Sequence, residues 1–153
     1  MWTHKVIPLN SKLSKLTMEL IVESLAELPV VAEKISNYAA GRKIWLFSGE
    51  IGAGKTTLIQ RICQQHGVME KVTSPTYSLI NQYESHQGII YHLDLYRLNS
   101  LDEAIDIGIE DLLYGDALCL IEWPDLVAPL LPTDVLKIKI EIVEDSKRKI
   151  ILL

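Results

Sequence analysis

Eight consecutive residues, Gly49-Glu50-Ile51-Gly52-Ala53-Gly54-Lys55-Thr56, carry the spacing G-x-x-x-x-G-K-T, the Walker A or P-loop signature. Residue type explains what such a stretch can do. Glycines let the backbone wrap tightly and turn successive N–H groups toward phosphate oxygens. Lys55 then reaches the β- and γ-phosphates, and the Thr56 hydroxyl is a ligand for Mg²⁺. Thr57 follows and either caps the site or faces a helix groove. Average composition would yield such a match by accident in on the order of one chain in a few hundred of this length. The context therefore decides, and it requires a strand before the loop and a helix after it. The motif alone specifies a nucleoside triphosphate, ATP or GTP, together with Mg²⁺.

Holding phosphate is not hydrolysis, which also needs a carboxylate near the metal and an oriented water. Two apolar runs end in acids, Ile89-Ile90-Tyr91-His92-Leu93-Asp94-Leu95 and Ala117-Leu118-Cys119-Leu120-Ile121-Glu122-Trp123. In an extended strand His92, Asp94 and Tyr96 share one face. An aspartate in so apolar a run is costly unless it meets a cation or donors; the plain alternative is pairing with Arg97 or capping of a turn. Glu122 stands where a Walker B acid belongs, with an ordinary edge glutamate as the alternative. Trp123 is placed to stack on a base or ribose, or simply to cover the strand end. His92 reads as a packed strand histidine before it reads as a proton carrier. Thr73-Ser74-Pro75-Thr76-Tyr77 occupies the position of a switch ordered by γ-phosphate and metal, with Ser74 and Thr76 as donors; a proline-containing turn is the alternative.

The elements that must position these groups are legible. Lys43 to Ser48 is an apolar run of the kind found in a strand buried on both faces, and it leads directly into the loop. Thr56 to about His66 has Leu58, Ile59, Ile62 and Cys63 in one helical stripe. Met18 to Val22 predicts a first strand. Ser24 and Glu27 have capping-box spacing, with Pro29 able to move the helix start later, and Gly41 predicts its end. Tyr77–Tyr83 and Gly88–Leu95 predict an antiparallel hairpin. Ser100 and Glu103 repeat the capping-box pattern ahead of a helix that breaks at Gly108. From Val135, alternation of Leu136, Ile138, Ile140 and Ile142 with Lys137, Lys139 and Glu141 predicts a half-solvated hairpin ending at Lys149–Leu153.

The 153 residues make about one domain. Apolar content of 48% and charged content of 23% are ordinary globular values, which excludes disordered and collagen-like classes. A net charge of −5 argues against strong stand-alone binding of free nucleic acid. Cys63 and Cys119 are too few for a disulfide framework and read as buried thiols of a reducing compartment. No stretch approaches the ~20 apolar residues of a membrane span, and Met1–Leu16 has no apolar leader. The expectation is a cytoplasmic protein with a flexible arm over 1–16 and one P-loop domain over 17–153.

Four motifs in order, Gly49 to Thr57, Ser74-Pro75-Thr76-Tyr77, His92-Leu93-Asp94-Leu95-Tyr96-Arg97 and Ile121-Glu122-Trp123-Pro124, resemble those of the TsaE (YjeE) family, small ATPases of tRNA threonylcarbamoyladenosine biosynthesis. The likeness spans about residues 17–150. It implies a three-layer α/β P-loop NTPase fold with a mixed, mainly parallel sheet and antiparallel hairpins. It implies ATP as the nucleotide and TsaD and TsaB as partners, with tRNA met only within that complex. It also implies slow hydrolysis alone, acting on the TsaD–TsaB transferase between turnovers. By motif, Lys55 would hold phosphate, Thr56 and Glu122 would ligate Mg²⁺, Asp94 would act in activation, and Thr76 and Trp123 would lie near the nucleotide. Glu50 departs from the aspartate frequent in the family, and the N-terminal arm is longer than its pattern. Two other function classes fit a P-loop: a small-molecule or nucleotide kinase, disfavoured by scarce arginines and a hairpin where a lid would stand, and a nucleotide-dependent binding module with little hydrolysis, disfavoured by Asp94 and Glu122.

Overall fold

A computed structural model describes residues 17–75 and 77–153. The expected arm, 1–16, and Thr76 of the expected switch lie outside the described residues. The chain runs β1 (Met18–Val22), a 3₁₀ turn at Leu25–Glu27, α1 (Leu28–Ala39), β2 (Ile44–Ser48), α2 (Lys55–Gln65), β3 (Ile80–Ser85) and β4 (Gly88–Asp94). It continues with α3 (Leu101–Asp106), α4 (Ile109–Leu113), β5 (Leu118–Glu122), a 3₁₀ segment at Pro124–Leu130, β6 (Leu136–Ile142) and β7 (Arg148–Leu152).

The strands form one sheet in the order β1-β7-β6-β2-β5-β4-β3. Its centre is parallel: β2 pairs with β5 and β6, and β4 pairs with β5. Its margins are antiparallel hairpins, β3–β4 and β6–β7, with β1 added antiparallel to β7. The strand before the loop therefore sits in the middle of the sheet, which explains its unbroken apolar run. Ile44, Trp45, Leu46 and Phe47 are all buried.

Alternation along the strands divides the core into two layers. Trp45, Phe47, Leu120, Leu136 and Ile138 face α1 and α2, meeting Val31, Ile35, Leu58, Ile59 and Ile62. Ile44, Leu46, Leu93, Cys119 and Ile121 face the other way, toward Ala104, Ile109, Leu113 and Val127. The stripe predicted from Leu58 to Cys63 is the buried face of α2. Among the described residues no helix is long and apolar enough to cross a membrane.

Element ends differ from the sequence expectation in ways with local causes. The box expected of Ser24 and Glu27 does not form: the Ser24 side chain makes no cap hydrogen bond, the Glu27 carboxylate accepts from the Glu23 N–H at 2.8 Å, and the α-helix starts only at Leu28 with Pro29 in its first turn. Ser100 caps α3 by accepting from the Glu103 N–H at 3.2 Å, and Glu103 reaches back to the Asn99 N–H at 2.9 Å. The strand expected from Tyr77 begins at Ile80. The Leu79 N–H donates to the Pro75 carbonyl at 3.1 Å, and Leu79 is left-handed, with φ +65°. This bond and the left-handed Leu79 delay the strand to Ile80.

Candidate functional site

The loop between β2 and α2 is shaped by two glycines with different duties. A Cβ on Gly49 would lie 2.7 Å from the Ile140 carbonyl oxygen, so this residue lets the chain leave β2 closely packed on β6. Gly54 takes φ +104° at the N-terminal cap of α2, a conformation that side chains rarely adopt. Arg148 of β7 fastens the loop from behind. Its Nε donates to the Ala53 carbonyl at 3.1 Å, and its Nη1 donates to the Glu144 and Asp145 carbonyls at 3.0 Å each.

Lys55 is buried inside this loop. Its Nζ donates to the carbonyls of Gly49 at 2.6 Å and Glu50 at 3.1 Å. Burial of the ammonium pulls its pKa below the usual lysine range, against the opposing pull of Glu122, Asp94 and Glu50. Trp123 stands over it, with the ring centroid 4.3 Å from Nζ, a cation–π contact. Trp123 is left-handed, φ +56°, which is unusual for a bulky residue. The Tyr96 ring packs against it at 4.9 Å. The Trp123 ring thus covers the Lys55 ammonium as well as the end of β5.

The acids arrive by strand register. Asp94 is opposite Glu122 in the β4–β5 pair, and Glu122 is opposite Phe47 in the β5–β2 pair. All three strands end at one level beside the N-terminus of α2. The Thr56 hydroxyl donates to Glu122, 2.9 Å from Oε1 and 3.2 Å from Oε2. His92 Nε2 lies 2.8 Å from Glu122 Oε2. Glu122 is 3% exposed and His92 fully buried. A buried carboxylate needs such donors. His92 Nδ1, by contrast, is buried with no hydrogen-bond partner among the described residues, a cost of about 1–3 kcal/mol. Asp94 is half-buried and accepts from the Tyr96 N–H at 3.1 Å, so it caps the turn after β4. Arg97 is directed elsewhere, over the Tyr77 ring at 4.7 Å.

A cavity of about 420 Å³ is lined by Ile51, Gly52, Gly54, Lys55, Thr56, Thr57, Asp94, Tyr96, Glu122 and Trp123. It unites the loop, both acids and the tryptophan expected from sequence. Ser74 and the Glu50 side chain are exposed and do not line it. The adjacent hydroxyl and carboxylate of Thr56 and Glu122 are hard oxygen donors of the kind that suits Mg²⁺. A second, more apolar groove of about 630 Å³ shares Gly52, Gly54 and Thr57 and runs on past Leu25, Asp145 and Arg148.

A family model described as "Threonylcarbamoyl adenosine biosynthesis protein TsaE" matches residues 22–150. The chain belongs to the TsaE family. That family works in tRNA threonylcarbamoyladenosine biosynthesis. A TsaE protein of Treponema pallidum is 36% identical over 69% of this chain and 77% of its own length. One of Rickettsia bellii is 34% identical over 87% of this chain and 92% of its own. The crystal structure of Bacillus subtilis YdiB superposes with a TM-score of 0.70 at 26% identity, covering 89% of this chain and 84% of that one. The TsaE match takes in all four motifs that suggested the likeness. Sequence reasoning missed the Arg148 clasp, the Tyr96–Trp123 pair and the His92–Glu122 contact. Arg148 offered only its scarcity as a signal, being one of four arginines, and His92 only its place two residues before Asp94.

Proposed function

We propose that this chain binds and hydrolyses Mg-ATP, and that the cycle supports the TsaD–TsaB threonylcarbamoyl transferase. The observation that carries the reading is the convergence of Lys55, Thr56, Asp94 and Glu122 on one cavity at the mouth of the P-loop. Triphosphate lies along the loop N–H groups, and the N-terminal end of α2 adds its positive partial charge. Lys55 Nζ turns from the Gly49 and Glu50 carbonyls to phosphate oxygens. Thr56 and Glu122 would hold Mg²⁺, which would supply charge neutralisation at the β- and γ-phosphates. Asp94 orients the attacking water. The groove beyond Gly52 and Thr57 takes the nucleoside, with Trp123 closing the phosphate end. Among the described residues no arginine lines the phosphate cavity. Charge developing on the γ-phosphate is then under-compensated in the free protein, which supports slow turnover alone and faster turnover with partners.

Phosphate release measured with the protein alone and then with TsaD and TsaB tests this hydrolase reading. A low rate that rises clearly with the pair is the expected result. If the partners alter neither hydrolysis nor nucleotide affinity, their assignment fails, and a screen of phosphoryl acceptors becomes the next step.

A further inference from the structure

One buried side chain beside the site has no part in that scheme. His92 is fully buried and lies on the same face of β4 as Asp94, two residues earlier. Opposite it in β5 is Leu120, two residues before Glu122. His92 Nε2 lies 2.8 Å from Glu122 Oε2, and toward a carboxylate, which only accepts hydrogen bonds, the Nε2–H tautomer is the donor. Nδ1 is left buried and unpartnered among the described residues. A leucine would fill this place between Ile90 and Leu120 without an orphaned nitrogen. What the imidazole adds is one directed contact to the carboxylate.

Glu122 is thereby gripped from two sides. His92 takes Oε2 from the sheet, and the Thr56 hydroxyl sits nearer Oε1 from α2. The terminal torsion of a glutamate is broad and roughly two-fold, so without His92 the carboxylate plane is free to turn. We infer that His92 is a positioning residue that locks the Glu122 carboxylate with Oε1 turned to Thr56, so that this oxygen pair meets the nucleotide-borne Mg²⁺ already oriented. The inference rests on the Mg-nucleotide reading above. Groups that hydrogen-bond metal-ligating carboxylates typically matter by 10–100-fold in metal affinity.

The test is calorimetric binding of a non-hydrolysable ATP analogue, in Mg²⁺ and in EDTA, to the parent, His92→Leu and His92→Gln proteins. The amide nitrogen of glutamine stands the same number of bonds from Cβ as Nε2. We expect His92→Leu to lose about 10-fold of the affinity gained from Mg²⁺, with EDTA affinity unchanged, and His92→Gln to recover most of it. Full retention of the Mg²⁺ gain in His92→Leu overturns the inference, as does equal loss in both variants or a parallel fall in EDTA. If His92→Leu does not fold, His92→Asn, polar but too short to reach Glu122, replaces it against His92→Gln, and equal gains overturn the inference. A parent whose affinity ignores Mg²⁺ sinks the Mg-nucleotide reading itself. A Mg²⁺-sensitive parent with an insensitive His92 sinks only the positioning role.

Discussion

The two halves of the cavity are built by opposite means. The phosphate half is local: Gly49 to Thr57 is one stretch of chain, held by its own turn and by hydrogen bonds such as Ala53 N–H to Glu50 O at 3.0 Å. The acidic half is assembled from a distance. Glu122 meets Thr56 across 66 residues of sequence and His92 across 30, and only strand register brings them together. The local half can be read as a word, whereas the acidic half exists only once β4, β5 and β2 are paired in the correct order. The local half also depends on remote support, since Arg148 reaches the loop from 95 residues away.

This contrast makes separable predictions. Glu122→Gln strikes the acidic half and should lower the hydrolysis rate by about 10²–10³-fold, while affinity for nucleotide in EDTA stays within a few-fold; steady-state phosphate release and calorimetry read the two. Lys55→Ala strikes the phosphate half and should weaken nucleotide binding itself. Loss of a charge-assisted contact of about 1.5–3 kcal/mol corresponds to roughly 10–150-fold. If the two variants behaved alike, the division of labour would be wrong. Arg148→Ala should cost stability rather than chemistry, about 1–2 kcal/mol for its lost carbonyl contacts, seen as a fall of several degrees in Tm. The smallest effect concerns the cysteines. Burial pushes the thiols of Cys63 up to about 12 and of Cys119 up to about 11. Both stay protonated well above neutrality, so a thiol reagent at pH 8 should label neither in the folded protein and both in guanidinium.

Legibility in the sequence follows the same line. β1, β2, α2 and the β6–β7 hairpin were readable because hydrophobic period and punctuation act over a few residues: Ile44 to Phe47 without a break, Leu58 to Cys63 at helical spacing, Leu136 to Ile140 in alternation. The P-loop and the strand-ending acids were readable for the same reason. The start of β3 was not, because the left-handed Leu79 that delays it to Ile80 sits among residues that look extended. The His92–Glu122 contact and the Arg148 clasp were not either, since each depends on which strands become neighbours. His92 read from sequence as a packed strand histidine, and it is one; its carboxylate partner became visible only with the β4–β5 register.

The most direct test of the central claim is a crystal structure of this protein with Mg²⁺ and a non-hydrolysable ATP analogue. The account predicts the β- and γ-phosphates on the Gly49–Thr56 loop with Lys55 Nζ turned to them, a metal about 2.1 Å from Thr56 Oγ1, and Glu122 at that metal with His92 still behind it. Triphosphate bound away from the loop, or a metal ligated with Glu122 turned aside, would contradict it.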